Sequence, residues 1–283
     1  MNHVGDITGL EPANIAGTEL LVRSGEKAHT IVLLHGIGSR AASFADLMRA
    51  WPVGPRLVAW DMPGYGGSQP LAEHWPRAYH YAKQLSQVRA GLGVDRIHVV
   101  GHSLGCLIAG AFGSLCPGEF GKITFLSPAL GYRADASQPL PAAQQQRIDD
   151  FTRLGAAAFA KARAARLVHD AAKHPEIVAQ VAAAMATIAP EPYAQAVRLL
   201  AGGDLLASAR ALMPIACVVS GAEDVITPPD NAAKLFEALR ARSGQIGSAD
   251  IIRMVPDAGH AIYLEQPGLV LRHLTTFFAG DAA

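Results

Sequence analysis

Half of the 283 residues are apolar, enough to bury the core of one large α/β domain or two small ones. Lys and Arg together number 24, as do Asp and Glu, so the formal net charge is +0 and charge makes no case for nucleic acid or an anionic membrane as partner. Cys106, Cys116 and Cys217 are odd in number, far apart, set in apolar runs and without metal-ligand spacing, and read as buried, reduced thiols of a cytoplasmic protein.

The N-terminus, Met1-Asn2-His3-Val4-Gly5-Asp6, has neither the basic nor the apolar region of an export leader. No stretch is apolar for long enough to span a bilayer, so a protein that is not exported is expected. Thr18–Val22 reads as an antiparallel strand turned around Gly17. Thereafter short β-rich runs alternate with helical patterns. Strand Thr30–Leu34 precedes helix Ala41–Ala50, strand Leu57–Trp60 precedes helix Trp75–Gly91, and strand Ile97–Val100 precedes helix Leu104–Leu115. Strand Ile123–Leu126 then leads into a different kind of sequence. From 133 to 210 the chain is Ala-rich and Arg-studded, with Pro139, Pro141, Pro175, Pro190 and Pro192 punctuating helical spacings such as Ile177-Val181-Met185-Ile188. Strand Ile215–Ser220, helix Pro229–Arg242, strand Ile251–Val255 and helix Gln266–Phe278 complete the chain. The alternation argues a mostly parallel sheet with helices on both faces, interrupted by a helical insertion.

Gly101-His102-Ser103-Leu104-Gly105 lies between a strand and a helix, the setting of the G-x-S-x-G elbow. The flanking glycines let the backbone bend sharply and lift the serine hydroxyl to a helix N-terminus. A serine hydroxyl attacks well only when a base takes its proton, and the base needs a carboxylate to orient it. Asp224, in Gly221-Ala222-Glu223-Asp224, follows the strand Ile215–Ser220; its neighbour Glu223 is the alternative acid. His260, in Pro256-Asp257-Ala258-Gly259-His260, follows Ile251–Val255, and the order Ser, Asp, His is the one this elbow requires. His35-Gly36-Ile37-Gly38-Ser39 follows the strand Thr30–Leu34. Its glycines allow the Ile37 N–H to join the Leu104 N–H as an oxyanion hole, each donor lowering the barrier by roughly 3 to 4 kcal/mol.

With Asp61-x-Pro63-Gly64-x-Gly66-x-Ser68 added, these pieces resemble, in order and over nearly the whole chain, the α/β-hydrolase-fold enzymes. The resemblance implies an α/β-hydrolase fold with a core of residues 1–132 and 211–283 and a helical cap of 133–210 over the active site. It gives Ser103 as nucleophile, Asp224 as acid, His260 as base, and the Ile37 and Leu104 amides as oxyanion donors. His35, Gly36, Gly38 and His102 are placed around the substrate, His35 holding the oxyanion loop by hydrogen bonding and His102 serving structure rather than acting as base. Two departures stand out: Cys106 replaces a second glycine after the elbow, and Ser127-Pro128 rather than an acid follows Ile123–Leu126, which favours Asp224.

Serine in place of aspartate at the elbow argues for acyl transfer to water, which requires neither metal nor organic cofactor. The chain is similar to small bacterial esterases and enol-lactone hydrolases of aromatic catabolism, and also to the carbon–carbon bond hydrolases of meta-cleavage pathways. The expected reaction is hydrolysis of a small carboxylic ester or lactone, with carbon–carbon cleavage of a vinylogous diketone as the alternative and a non-catalytic ligand receptor as a third. The partner is a small molecule, anionic if one or two of Arg133, Arg147, Arg153, Arg163, Arg166 and Arg198 bind a carboxylate. The chain is expected as a monomer or a homodimer.

Overall fold

Along the central strands both alternating sets of side chains are apolar, and each set meets its own layer of helices. In the computed structural model, which describes residues 7–213, 215–242 and 250–279, eight strands form one sheet. They are β1 (Glu11–Ile15), β2 (Thr18–Arg23), β3 (Glu26–Leu34), β4 (Pro55–Trp60), β5 (Ile97–His102), β6 (Phe120–Leu126), β7 (Ala216–Gly221) and β8 (Ile251–Val255), in the order β1-β2-β4-β3-β5-β6-β7-β8. The β1–β2 and β2–β4 pairs are antiparallel, and every pair from β4 to β8 is parallel. The segment Met1–Asp6, read above as lacking a leader, lies outside the described residues.

The helices are α1 (Ala45–Ala50), entered through a 3-10 turn at Ala41–Phe44, α2 (Ala78–Gly91), α3 (Leu104–Leu115), α4 (Ala142–Leu154), α5 (Ala156–Arg163), α6 (Pro175–Met185), α7 (Pro190–Gly202), α8 (Leu205–Ala211), α9 (Pro229–Arg240), α10 (Ile262–Glu265) and α11 (Pro267–Ala279). Val32, Leu34, Val58, Trp60 and Val99 pack with Leu85 and Val88 of α2 and Ile108 and Phe112 of α3. Their strand neighbours Ile31, Leu33, Leu57, Ala59 and Val100 turn the other way, onto Leu47 of α1 and Val270, Leu274 and Phe277 of α11. None of the described helices is long and apolar enough to cross a membrane.

Among the differences from the sequence reading, three have a plain physical reason. The hairpin strand β1 carries Pro12 and hides little surface, which is tolerable only because it is the sheet edge. β3 begins at Glu26 rather than Thr30, its first four residues being exposed and therefore without an apolar signal. Trp75 stays outside α2: it precedes a proline, which disfavours helical backbone, and its indole N–H donates to the Arg198 carbonyl at 2.7 Å.

Between β6 and β7 run five helices, α4 to α8, two of which open on the prolines Pro175 and Pro190, whose missing N–H costs nothing at a first helical turn. Phe151, Phe159 and Tyr193 from α4, α5 and α7 join the same apolar cluster as the α2–α3 face of the sheet. α8 lies against α3 and α9. Cys106 and Cys217 are buried, while Cys116 is only half-buried; all three are free thiols.

Candidate active site

The β5–α3 junction is built around two positions that exclude a side chain. A Cβ on Gly105 would sit 2.2 Å from the Leu34 carbonyl oxygen, and one on Gly101 would sit 2.6 Å from that of Gly105. Both obstacles are backbone and cannot swing aside. Gly105→Ala is therefore expected to cost about 3 kcal/mol, read as a lower denaturant midpoint at unchanged m-value; a shift under a third of that would mean the strand and helix can separate without penalty.

Between the glycines Ser103 has φ 53° and ψ −112°, a conformation that L residues rarely adopt. Its backbone is fixed on both sides: its N–H donates to the Leu126 carbonyl at 2.9 Å, and its own carbonyl accepts from Cys106 at 3.1 Å. The side chain is thus thrown out past the sheet, where Oγ lies 3.0 Å from Nε2 of His260. His260 Nδ1 is 2.8 Å from Oδ2 of Asp224. An ionised carboxylate can only accept, so Nδ1 carries the proton and Nε2 offers its lone pair to the Ser103 hydroxyl.

Asp224 is buried and its neighbour Glu223 is exposed, which separates the two acids that adjacent sequence positions left together. Burial by itself would raise the Asp224 carboxyl. The hydrogen bond and charge of His260, with the backbone and hydroxyl donors of Thr227, outweigh that and hold it down to about 2. Oδ1 accepts the N–H groups of Ile226 and Thr227 at 2.8 and 2.9 Å. Thr227 escaped the sequence reading: its Oγ1 is 2.8 Å from Asp224 Oδ2, 3.0 Å from the Ser127 carbonyl and 3.1 Å from His260 Nδ1. Its one signal in sequence is its place three residues past the acid, where a turn brings a hydroxyl back onto it.

Of the histidines expected around the substrate, His35 stands apart from the cavity. It is fully buried, its Nδ1 donating to the Gly36 carbonyl at 2.8 Å and its Nε2 accepting the Met62 N–H at 3.0 Å. Burial lowers its pKa, so it is a neutral brace between the 35–39 turn and the end of β4. His102 does line the cavity; its Nε2 donates to the His260 carbonyl at 2.9 Å, and burial first, then the neighbouring His260 ring, brings its pKa down to about 3. The Glu265 carboxylate receives the N–H groups of Gly259 and His169, tying the His260 loop to the segment after α5.

Gly36, Ile37 and Gly38 line the cavity, and Leu104 is the first residue of α3, where helix amides lack an internal acceptor. The Tyr65 hydroxyl donates to the Ile37 carbonyl at 2.9 Å and so sets the tilt of that loop. Tyr65→Phe is expected to cost about 1 kcal/mol of folding stability, the usual worth of one such bond, measured by urea denaturation; an unchanged midpoint would mean the loop holds its shape unaided. Asp61 accepts the Ala41 N–H at 2.7 Å and its carbonyl accepts the Ser68 hydroxyl at 2.5 Å, so the Asp61-to-Ser68 motif braces loops behind the cavity.

Ser103 and His260 open onto a cavity of about 460 Å³, within the ordinary range of small-molecule sites. Part of its lining comes from α4, α5 and α6, through Arg147, Arg163 and Met185 among others. No group of three or more His, Cys, Asp or Glu side chains suited to a metal ion occurs among the described residues. A hydroxyl, an imidazole and a carboxylate in series, facing such a cavity, can move a proton off the oxygen and back while a covalent bond forms on it.

Residues 31–273 match the model of the alpha/beta hydrolase family. Among curated proteins, 2-hydroxy-6-oxononadienedioate/2-hydroxy-6-oxononatrienedioate hydrolase 2 of Pseudomonas putida is 33% identical over 121 residues, 41% of this chain and 42% of that protein. A hydrolase of the same description from Paraburkholderia phymatum is 34% identical over 122 residues, again 41% and 42%. The matched stretch thus spans less than half the length of these relatives. Among solved structures, the enol-lactonase from Burkholderia xenovorans LB400 superposes with a TM-score of 0.80 at 21% identity, covering 95% of this chain and 100% of that one. A thermophilic esterase from Thermogutta terrifontis gives 0.80 at 20% identity, covering 95% and 98%. At such identities the likeness is one of fold.

Proposed function

The chain belongs to the alpha/beta hydrolase family, and from that footing we propose that it is a serine hydrolase of a small carboxylic ester or lactone. The observation that carries the reading is the unbroken series from Ser103 Oγ through His260 to Asp224, facing the cavity. Ser103 attacks the substrate carbonyl as His260 Nε2 takes its proton. The tetrahedral oxyanion rests on the N–H groups of Ile37 and Leu104. Collapse expels the leaving group, which His260 protonates; a water activated by the same nitrogen then releases the acid from Ser103. Residues 133–210 act as a cap over a core of 1–132 and 211–283, with α4, α5 and α6 supplying the wall opposite the nucleophile.

A second reading, hydrolysis of a carbon–carbon bond in a vinylogous diketone, is favoured by the names of the curated relatives. The test is turnover of short-chain aryl esters, small lactones and a vinylogous 1,5-diketone at neutral pH by the wild type and by Ser103→Ala. Ester or lactone turnover that depends on Ser103 is the expected result; turnover of the diketone alone would install the second reading. A folded protein that turns over none of them would defeat both and leave ligand binding without chemistry.

A further inference from the structure

We propose that Arg147 and Arg163 form an anion subsite that selects substrates carrying a free carboxylate on the part of the molecule remote from the scissile carbonyl. This rests on the serine-hydrolase reading for the position of that carbonyl.

Four arginines reach the cavity: Arg40, Arg49, Arg147 and Arg163. The first two are already answered, Arg40 by the buried Asp61 at 3.6 Å and Arg49 by Asp46. The other two are not; neither guanidinium is within ion-pairing distance of a carboxylate among the described residues. Asp150 attracts Arg163, but its carboxylate is taken up by Arg153 at 2.9 Å and Gln146 at 3.1 Å.

Both guanidiniums are anchored on one aromatic cluster. Phe151 and Tyr193 stack at 4.0 Å, and Phe159 meets both rings edge-on at 5.1 and 5.4 Å. Arg147 Nε donates to the Tyr193 hydroxyl at 2.7 Å, and Arg163 lies 5.1 Å from the centre of the Phe159 ring. These contacts occupy Nε of Arg147 and one face of the Arg163 guanidinium, and leave the terminal N–H groups of both for a ligand. The two charges repel: besides burial, the proximity of Arg147 lowers the pKa of Arg163. A chain with equal numbers of acids and bases has thus placed two half-buried cations in the lining of one cavity with no counter-ion among the described residues. An incoming anion repays that cost, and a planar carboxylate matches the guanidinium fork. Both residues stand on the helical wall, whereas the nucleophile stands on the sheet, so the carboxylate and the scissile carbonyl belong at opposite ends of the substrate.

The test compares two esters of equal acyl chain length: the para-nitrophenyl monoester of glutaric acid and para-nitrophenyl pentanoate, which carries a methyl in place of the carboxylate. Wild type is expected to prefer the glutarate ester in kcat/KM, and Arg163→Gln and Arg147→Gln each to lower that preference roughly ten- to a hundredfold, mainly through KM. Lys161→Gln, which removes an exposed cation from the same helix as Arg163, keeps it. Preference for the pentanoate ester, or a ratio unmoved in Arg163→Gln, overturns the proposal. Arg147→Gln also loses its bond to Tyr193; if it fails to fold, Arg163→Gln decides. If neither ester is hydrolysed, the ester reading falls on its own, and calorimetry of glutarate against neutral glutaramide decides the subsite. Glutarate binding by wild type that vanishes in Arg163→Gln upholds it, and no binding, or binding that survives, overturns it.

Discussion

With Ser103 replaced by alanine, kcat for whichever ester the wild type accepts is expected to fall by about 10⁵-fold. The oxygen that would carry the acyl group is gone, while the remaining site keeps what stabilises an oxyanion and what activates water. A small residual rate above the uncatalysed reaction is therefore expected rather than none. Folding should be unaffected. The Ser103 side chain bonds to His260 alone among the described contacts, and the unusual backbone at φ 53° is imposed by the Gly101–Gly105 crossing, which alanine meets no worse than serine. A thermal midpoint within a few degrees of wild type, with substrate binding retained, separates loss of chemistry from loss of structure. Retention of more than about one per cent of the activity would remove Ser103 from the nucleophile's role and, with it, the covalent mechanism.

The second large effect is expected at Asp224→Asn, a fall in kcat of about 10⁴-fold. The direction follows from the two sides of the carboxylate. Oδ1 accepts two backbone N–H groups, from Ile226 and Thr227, so an amide placed there must turn its oxygen to that side. Its NH₂ then faces His260 Nδ1, which has to become the acceptor. The proton moves to Nε2, and Nε2 can no longer take one from Ser103. An aspartate-to-alanine change would leave the tautomer free and is expected to cost less than the asparagine. If the two variants are equally active, orientation rather than tautomer is what Asp224 supplies.

The same residue sets a pH dependence of stability. The folded-state pKa of Asp224 is held below its ordinary value, to about 2, so its contribution is complete above the ordinary carboxylate range and fades as pH falls toward about 2. The difference in unfolding free energy between wild type and Asp224→Asn should therefore shrink on acidification below about pH 4, by on the order of 2 kcal/mol. A difference that stays constant down to pH 2 would contradict the origin given for the shift. His102, already neutral well above its pKa of about 3, contributes no inflection to an activity profile between pH 5 and 9.

How much of this was legible in the residues varies with the distance over which the information is stored. The elbow is a local device: Gly101, Ser103 and Gly105 sit within five residues, and the strand before them and the helix after them announce themselves by apolar period. So do β3 through β8 as a set, because a parallel sheet covered on both faces leaves continuous apolar runs. Elements on the surface gave no such signal, as with β1 and the exposed start of β3.

The site itself joins residues 157 and 36 positions apart, and the chain order of serine, acid and histidine anticipated the residue types without fixing the contacts. Adjacent Glu223 and Asp224 differ by which one the turn after β7 buries. His35 and His102 both looked placed for substrate, yet one is sealed behind the loop and the other walls the cavity. Six arginines of the inserted segment were equivalent in the sequence, and of these only Arg147 and Arg163 reach the cavity. In sequence alone, then, the protein's fold, its G-x-S-x-G elbow and the kinds of residues around it were already determined, since these depend on backbone periodicity and on glycine where no side chain fits. Which hydroxyl steadies the acid, which histidine braces a loop rather than lines the cavity, and which cations lack a counter-ion among the described residues were decided by tertiary packing. Burial and charge pairing depend on what arrives from elsewhere in the chain.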